Sequence, residues 1–264
     1  MDSLKILNTL TRAVFPEIEY LEWVSGRPEE AVYDLGSSGL GKRYDGVLPS
    51  PLEGLEDPSP ETDLEDQIAE EYDVPDENVL VTAGASHANF MIASISLDRG
   101  STVLVEKPGY EPLVATPRGL GANVRRFNRP KDEDYTIGIE EVKGKINDDT
   151  CLITVTNRHN PSGRLVERDA LRKLAEVAED HDAYLLVDEV YVPYVSQPKT
   201  DTALGSVTGA GLPNTIVTNS LTKFYGLGEI RIGWAIAKDD IIQKLSSVSA
   251  HVPTVARTSV SMAE

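Results

Sequence analysis

The stretch that decides the fold is Ser220-Leu221-Thr222-Lys223-Phe224-Tyr225-Gly226-Leu227-Gly228-Glu229-Ile230-Arg231, which lies between two apolar runs. The run before it is Thr215-Ile216-Val217, and the run after it is Ile232-Gly233-Trp234-Ala235-Ile236-Ala237. Short apolar runs bounded by glycine-containing turns are typical of buried strands. The sequence therefore places Lys223 and Arg231 in a loop between two strands. A lysine there can capture a carbonyl group and an arginine can bind an anion, although an ordinary solvated lysine is the alternative.

The rest of the chain alternates short apolar runs with amphipathic segments. We predict strands at residues 78–82, 102–106, from 123, 152–156, 183–187, 215–218 and 232–237. We predict helices at residues 4–14, from 62, 86–97, 111–120, 139–145, 167–181 and from a cap at Asp239 or Asp240. Such an alternation favours a three-layer α/β fold with a mainly parallel sheet and helices on both faces.

The charge of the chain argues against two classes of partner. The 264 residues include 43 acidic and 25 basic side chains, which gives a formal net charge of −18. Because this charge repels polyanions, we expect no nucleic-acid partner and no anionic membrane partner. The acidic residues, densest at residues 53–71, are interpreted as a solvated anionic surface; an acidic proteome adapted to salt would produce the same composition.

Other compositional features concern the compartment and metals. No segment approaches the roughly 18 unbroken apolar residues that a membrane helix needs, and the N-terminus lacks the pattern of a secretory signal. The single cysteine, Cys151, cannot form an internal disulfide or a cysteine zinc site, and we interpret it as a buried strand residue. We therefore predict a cytoplasmic protein without a metal site.

Polar residues follow the predicted strands at the edge where parallel α/β sheets bind ligands. Each candidate also has a purely structural interpretation. Residues 84–86 could be a small-residue turn, Tyr110 could pack at the edge of the core, Asn160 could belong to an ordinary turn, and Asp188 could be a structural carboxylate. His159 has no partner that the sequence reveals and is interpreted as a surface or structural histidine. The candidates, in chain order, are Gly84, Ala85 and Ser86, then Tyr110, then Asn160, then Asp188 and Tyr191, and finally Ser220, Lys223 and Arg231.

Together these strand ends offer a phosphate cradle, a ring for stacking, an amide, a buried carboxylate and a lysine with an arginine. Pyridoxal 5'-phosphate requires such a set: a lysine for its aldehyde, an anion for its pyridine nitrogen, and donors and a cation for its phosphate. An anionic partner would keep the ring protonated, which would make it a better electron sink, and Lys223 would then be a suitably placed base.

In the order of these motifs, the chain resembles the fold-type I pyridoxal-phosphate enzymes, specifically the class I/II aminotransferases. The resemblance runs from about Thr62 onward and is carried by Asn160-Pro161-Ser162-Gly163, Asp188-x-x-Tyr191 and Ser220-x-x-Lys223 with Arg231. It implies a Schiff base on Lys223 and pairing of Asp188 with the pyridine nitrogen. It also implies the following contacts: Asn160 and Tyr191 with the ring hydroxyl, Tyr110 stacked on the ring, and Ala85, Ser86, Ser220 and Arg231 with the phosphate, next to Gly84.

The resemblance further implies an aminotransferase that moves an amino group from an amino acid to a 2-oxo acid, as a homodimer. We expect an N-terminal arm or small-domain segment at residues 1–50 and the cofactor-binding large domain at 51–264, with most of the small domain absent. The family's arginine for the substrate carboxylate lies beyond the equivalent of Glu264, and residues 55–60 lack the tyrosine that family members often place there. A pyridoxal-phosphate lyase that catalyses β-elimination and an inactive cofactor-binding fragment stay open as alternatives.

Overall fold

The computed structural model describes residues 15–26, 38–39, 64–193, 207–252 and 255. The predicted helix at 4–14, the capping residues 62–63 and the stretch at 55–60 lie outside these described residues. The predicted division at residue 50 also falls outside them and stays a prediction.

A seven-stranded sheet forms the centre of the molecule. Its strands are β1 (Val79–Thr82), β2 (Thr102–Lys107), β3 (Asn123–Asn128), β4 (Thr150–Thr156), β5 (Tyr184–Asp188), β6 (Thr215–Ser220) and β7 (Gly233–Ile236). Their order across the sheet is β1-β7-β6-β5-β4-β2-β3. All pairings among β2 to β6 are parallel, whereas β7 runs antiparallel to both of its neighbours, β1 and β6. The predicted mainly parallel sheet is confirmed.

Helices cover both faces of this sheet. The described helices are α1 (Glu19–Ser25), α2 (Leu64–Tyr72), α3 (Ala85–Ser96), α4 (Pro112–Gly119), α5 (Ile139–Lys143), α6 (Arg168–Glu179) and α7 (Asp239–Ser249). One buried cluster joins α2, α5 and α6 to Leu104, Ile153 and Leu185, and a second joins α3, α4 and α7 to the intervening strand residues Val103 and Leu152. Because successive strand residues point to opposite faces, the two clusters lie on opposite sides of the sheet. The predicted three-layer α/β fold is therefore confirmed.

Two local predictions need correction. The N-cap position of α7 is occupied by Lys238, whose side chain makes no capping hydrogen bond. Asp239 and Asp240 lie instead in the first turn, where carboxylates interact favourably with the positive end of the helix dipole. Cys151 is only partly buried, because it lies near the start of β4, where its thiol contacts the carbonyl of Asp149 at 3.4 Å. Among the described helices, none has the length and apolar character needed to cross a membrane.

Candidate active site

A cavity of about 360 Å³ opens at the edge of the sheet where the parallel strands end. All of the candidates that the sequence predicts line it: Gly84, Ala85, Ser86, Tyr110, Asn160, Asp188, Tyr191, Ser220, Lys223 and Arg231. The topology explains this convergence. Strands β1, β2, β4, β5 and β6 end at this edge, and β7, which runs the other way, begins there, so that Arg231 just before β7 reaches the same cavity.

The turn from β1 into α3 packs tightly against Arg231 and β7. Gly84 has φ +87°, and a Cβ added there would lie 3.1 Å from Nη2 of Arg231. A Cβ on Gly233 would lie 2.5 Å from the carbonyl carbon of Gly84. Glycine at both positions thus lets a guanidinium approach the beginning of a 12-residue helix. A guanidinium beside a helix N-terminus is an arrangement suited to a phosphate group.

Asp188 ends β5 and is buried at 4% exposure. Its Oδ2 accepts a hydrogen bond from Nδ2 of Asn89 at 2.9 Å, and Oδ1 accepts a longer one from the backbone N–H of Val190 at 3.4 Å. Burial raises the pKa of this carboxyl above its ordinary value, and the bonds from Asn89 and Val190 and the charge of Lys223 oppose that rise. The site therefore keeps a carboxyl group in surroundings that only partly favour its charged form.

Lys223 lies in the loop between β6 and β7, as predicted. Its Nζ donates to the hydroxyl of Ser38 at 2.7 Å. Burial lowers the pKa of Lys223; the charge of Asp188 opposes this effect, and the charge of Arg231 adds to it. A lowered pKa leaves more of the amine neutral near pH 7, which is the form that attacks a carbonyl or accepts a proton.

Tyr110 occupies the side of the cavity that follows β2. Its ring meets that of Tyr20 edge to face, with centroids 6.1 Å apart. Burial raises the pKa of Tyr110 to about 12, with smaller contributions from Asp188, Tyr20 and Tyr191. Its phenol therefore stays protonated at neutral pH, and the cavity is lined on this side by an uncharged aromatic residue.

The turn that carries Asn160 is held by a buried polar network. The backbone N–H of Asn160 donates to the hydroxyl of Thr156 at 2.9 Å, and this hydroxyl donates to Oε1 of Glu106 at 2.5 Å. Oε2 of Glu106 pairs with Arg129 at 2.6 Å, and both side chains are 1% exposed. The ionic pair thus fixes the end of β4, from which Asn160 enters the cavity.

His159 is a structural residue and not a surface one. It is buried at 1% exposure, its Nδ1 lies 2.7 Å from the hydroxyl of Ser162, and its Nε2 lies 3.0 Å from the carbonyl of Pro108. Burial lowers its pKa to about 4, so the ring is neutral at physiological pH. The histidine ties the turn after β4 to the turn after β2.

Seven further lining residues were missed from the sequence: Tyr20, Leu21, Val24, Ser38, Thr156, Val190 and Thr222. The strand-end rule applies equally to Thr156, the last residue of β4, and could have found it. Helix α1 carries the first three, and nothing in its sequence indicates where it docks. Ser38 and Gly39 are the described part of the segment at 36–41, and both lie against Lys223.

Comparison with known proteins identifies the family of the chain. The sequence profile described as "Aminotransferase class I and II" matches residues 53–263, which is most of the chain. The chain belongs to the class I and II aminotransferases. It is 30% identical over 190 residues to a histidinol-phosphate aminotransferase of Caldicellulosiruptor saccharolyticus, covering 71% of this chain and 51% of that one. It is also 30% identical over 226 residues to an aromatic amino acid aminotransferase of Mycolicibacterium vanbaalenii, covering 86% and 60%.

Among solved structures, the aspartate aminotransferase of Thermus thermophilus with maleate superposes on this class I/II chain with a TM-score of 0.68 and 27% identity. The match covers 76% of this chain and 53% of that one. The chain thus spans between about half and 60% of the length of these relatives.

Class I and II aminotransferases use pyridoxal 5'-phosphate, and the residues of this cavity fit that group. Arg231 next to Gly84 suits its phosphate, Asp188 suits a protonated ring nitrogen, and Lys223 suits its aldehyde. The glycine at 84 matters to the fit, since a side chain there would meet the guanidinium.

Proposed function

We propose that this chain is the cofactor-binding part of a pyridoxal-phosphate-dependent aminotransferase, which moves an amino group from an amino acid to a 2-oxo acid. The observation that carries the proposal is the convergence of a buried carboxylate, Asp188, an amine of lowered pKa, Lys223, and an arginine, Arg231, on one cavity. Pyridoxal phosphate, when bound, supplies an aldehyde that forms a Schiff base with an amine and a ring that withdraws electrons from the bond being broken.

Each lining residue has a proposed task toward that group. Arg231, Ser220 and Ser86 would bind the phosphate at the beginning of α3, next to Gly84 and Ala85. Asp188 would hold a proton on the ring nitrogen. The remaining contacts are Asn160 and Tyr191 with the ring hydroxyl, and Tyr110 against the ring face.

Lys223 would carry out the proton transfer. Its amine would hold the cofactor through the aldehyde, and in its neutral form it would be placed to take the proton from the α-carbon of a bound amino acid. The direction of its pKa shift supports this role, because burial favours the neutral amine.

The visible absorption spectrum of the purified chain with pyridoxal phosphate tests the proposal. We expect an absorbance band that stays with the protein after free cofactor is removed, and we expect Lys223→Ala to lose it. A control variant, Lys244→Ala on α7, should keep the band. Identical spectra for the wild type and Lys223→Ala would overturn the role of Lys223.

The substrate is a separate question from the cofactor. The relatives are named for histidinol phosphate, aromatic amino acids and aspartate, so their names alone do not select a substrate. Product analysis tests the reaction type: transfer requires a 2-oxo acid acceptor, whereas pyruvate and ammonia released without one would indicate β-elimination.

We propose a homodimer in the cytoplasm, with an arm at residues 1–50 and the large domain at 51–264. Sedimentation of the cofactor-loaded chain tests the dimer.

A further inference from the structure

Three buried side chains form a continuous hydrogen-bonded relay that ends on Asp188. The hydroxyl of Thr218 donates to Oδ1 of Asn89 at 2.9 Å, and Nδ2 of Asn89 donates to Oδ2 of Asp188 at 2.9 Å. Thr218 is 0% exposed and Asn89 is 9% exposed. Asn89 is not among the residues that line the cavity, and its hydrogen bond to Asp188 links it directly to one that does.

The topology explains why the relay forms. Asp188 and Thr218 are register partners at the ends of the neighbouring strands β5 and β6. Side chains of register partners leave the sheet on the same face. Helix α3 packs on that face, and its residue Asn89 bridges the two strand ends.

The direction of the two hydrogen bonds is compatible with an ionised Asp188. An ionised carboxylate can only accept, so the amide group of Asn89 must turn its N–H toward Asp188. Its carbonyl oxygen then faces Thr218, whose hydroxyl can donate. A relay in this orientation stabilises the carboxylate and fixes its plane, because a hydrogen bond to a charged acceptor is stronger than one to a neutral acceptor.

We propose that Asn89 is a positioning residue that holds Asp188 ionised and oriented toward the ring nitrogen of pyridoxal phosphate, with Thr218 fixing the Asn89 amide. This inference rests on the proposed function. Its consequence concerns pH: burial raises the pKa of Asp188 and the bond from Asn89 opposes that rise. Loss of the donor therefore raises the pKa further and neutralises the carboxyl at a higher pH.

Three titratable groups among the described residues face Asp188. They are Lys223 after β6, Tyr110 after β2 and the adjacent Glu189. Burial raises the pKa of Tyr110 to about 12 and that of Glu189 to about 8, so both stay protonated below neutral pH. A change in cofactor binding below pH 7 that depends on Asn89 therefore reports on Asp188.

The test measures the dissociation constant of pyridoxal phosphate between pH 5 and 8 by equilibrium dialysis. We expect Asn89→Leu to weaken binding at pH 7.5 by about tenfold or more, the loss of one charge-assisted hydrogen bond. We also expect a rise in the pH below which cofactor binding is lost. Thr218→Val should raise this pH by a smaller amount, and Thr218→Ser should leave it at the wild-type value. The control Ser94→Ala, on the same helix but bonded to Phe90, should change neither quantity.

A second measurement needs no cofactor. In the cofactor-free chain, the free energies of unfolding of Asn89→Leu, Asp188→Ala and the double variant form a cycle. We expect the double variant to lose less stability than the sum of the single variants, because each single change leaves the other partner buried and unpaired. The relay would be overturned if the losses of unfolding free energy were additive, or if cofactor binding by Asn89→Leu and Thr218→Val had the pH dependence of the wild type. If the cycle were non-additive but Lys223→Ala had the same spectrum as the wild type, the proposed function would be refuted and the Asn89–Asp188 contact would stand.

Discussion

At the scale of single residues, Asp188 is a carboxylate that the fold buries at a cost to its charged form. Burial raises its pKa, and in the described surroundings the main compensation is one amide hydrogen bond. A buried carboxylate of this kind does little for folding, whereas an anion aimed at a developing charge speeds a reaction greatly. The proposed role of Asp188 toward the cofactor therefore predicts a larger effect on the reaction than on folding.

We expect Asp188→Ala to slow amino-group transfer to the bound cofactor by about 100-fold or more, the typical effect of removing one electrostatic contact from a reacting centre. Its free energy of unfolding should fall by no more than about 2 kcal/mol, since the desolvation cost of the carboxylate disappears with it. Single-turnover spectra and urea unfolding measure the two effects.

The control for this prediction is Glu189→Gln. Glu189 is the adjacent buried carboxyl, but it faces Thr208 and Gly209 and does not line the cavity. Its replacement should leave the transfer rate within about twofold of the wild type. Proportionate losses of rate and stability in Asp188→Ala would return Asp188 to a structural role.

The sequence predicted residues of the site but not their supports. Asp188, Asn160 and Lys223 follow strands of clear apolar pattern, so the rule about strand ends finds them without knowledge of the packing. Asn89 lies inside a helix, where the sequence shows only a single polar residue in an apolar pattern and gives no sign of a site. Its contact with Thr218 spans 129 positions and depends on how α3 packs on the sheet, which no local pattern contains.

At the scale of elements, the bounds of strands and helices follow from local pattern, but their order in the sheet does not. The predicted strand at 232–237 is present as β7 (Gly233–Ile236), yet its position between β1 and β6 and its antiparallel direction depend on pairing over long sequence separation. That direction determines the site, because it brings Arg231 to the edge where the parallel strands end.

Helix α1 determines the chemical character of one wall of the cavity. Tyr20, Leu21 and Val24 line the cavity from this helix, and they stay between 37% and 42% exposed. The first turn of α1 carries the acidic residues Glu19 and Glu22. This wall of the cavity is thus apolar, and the helix that supplies it carries acidic residues.

We therefore expect the cofactor-loaded chain to bind leucine or phenylalanine more tightly than aspartate in a spectral titration. Val24→Lys should improve the affinity for aspartate relative to leucine by about fivefold, since one ion pair in a partly exposed site contributes about 1 kcal/mol. Ser25→Lys adds the same charge one position later, outside the lining, and serves as the control. Equal ratios in the two variants would contradict a role for α1 in selection.

At the scale of the whole molecule, the chain has a net charge of −18, yet its described residues include three buried carboxyl groups at the ends of β2 and β5. They are Glu106, Asp188 and Glu189, and burial raises the pKa of each. Glu106 has Arg129 as a counter-charge. The carboxyl group of Glu189 accepts hydrogen bonds from two neutral donors, the hydroxyl of Thr208 at 2.6 Å and the N–H of Gly209 at 2.8 Å. The stability of the chain is therefore coupled to pH through these groups.

Glu189 gives this coupling a definite sign. Burial raises its pKa to about 8 in the folded chain, whereas an unfolded glutamate titrates near about 4.3. Between these values the folded chain keeps a proton that the unfolded chain has lost, so the free energy of unfolding falls as pH rises through this window. Asp188 and Glu106 act in the same direction, since their pKa values are also raised.

Glu189→Gln should remove the contribution of this residue. The amide stays neutral at every pH, and it can accept from Gly209 through its oxygen and donate to Thr208 through its nitrogen. We expect the free energy of unfolding of Glu189→Gln, relative to the wild type, to rise steadily from pH 5 to 8 and to level off above pH 8. Urea unfolding at intervals of one pH unit measures this difference. The exposed Glu140→Gln is the control and should follow the wild-type curve; a Glu189→Gln curve parallel to the wild type would mean that Glu189 is ionised in the folded chain throughout this range.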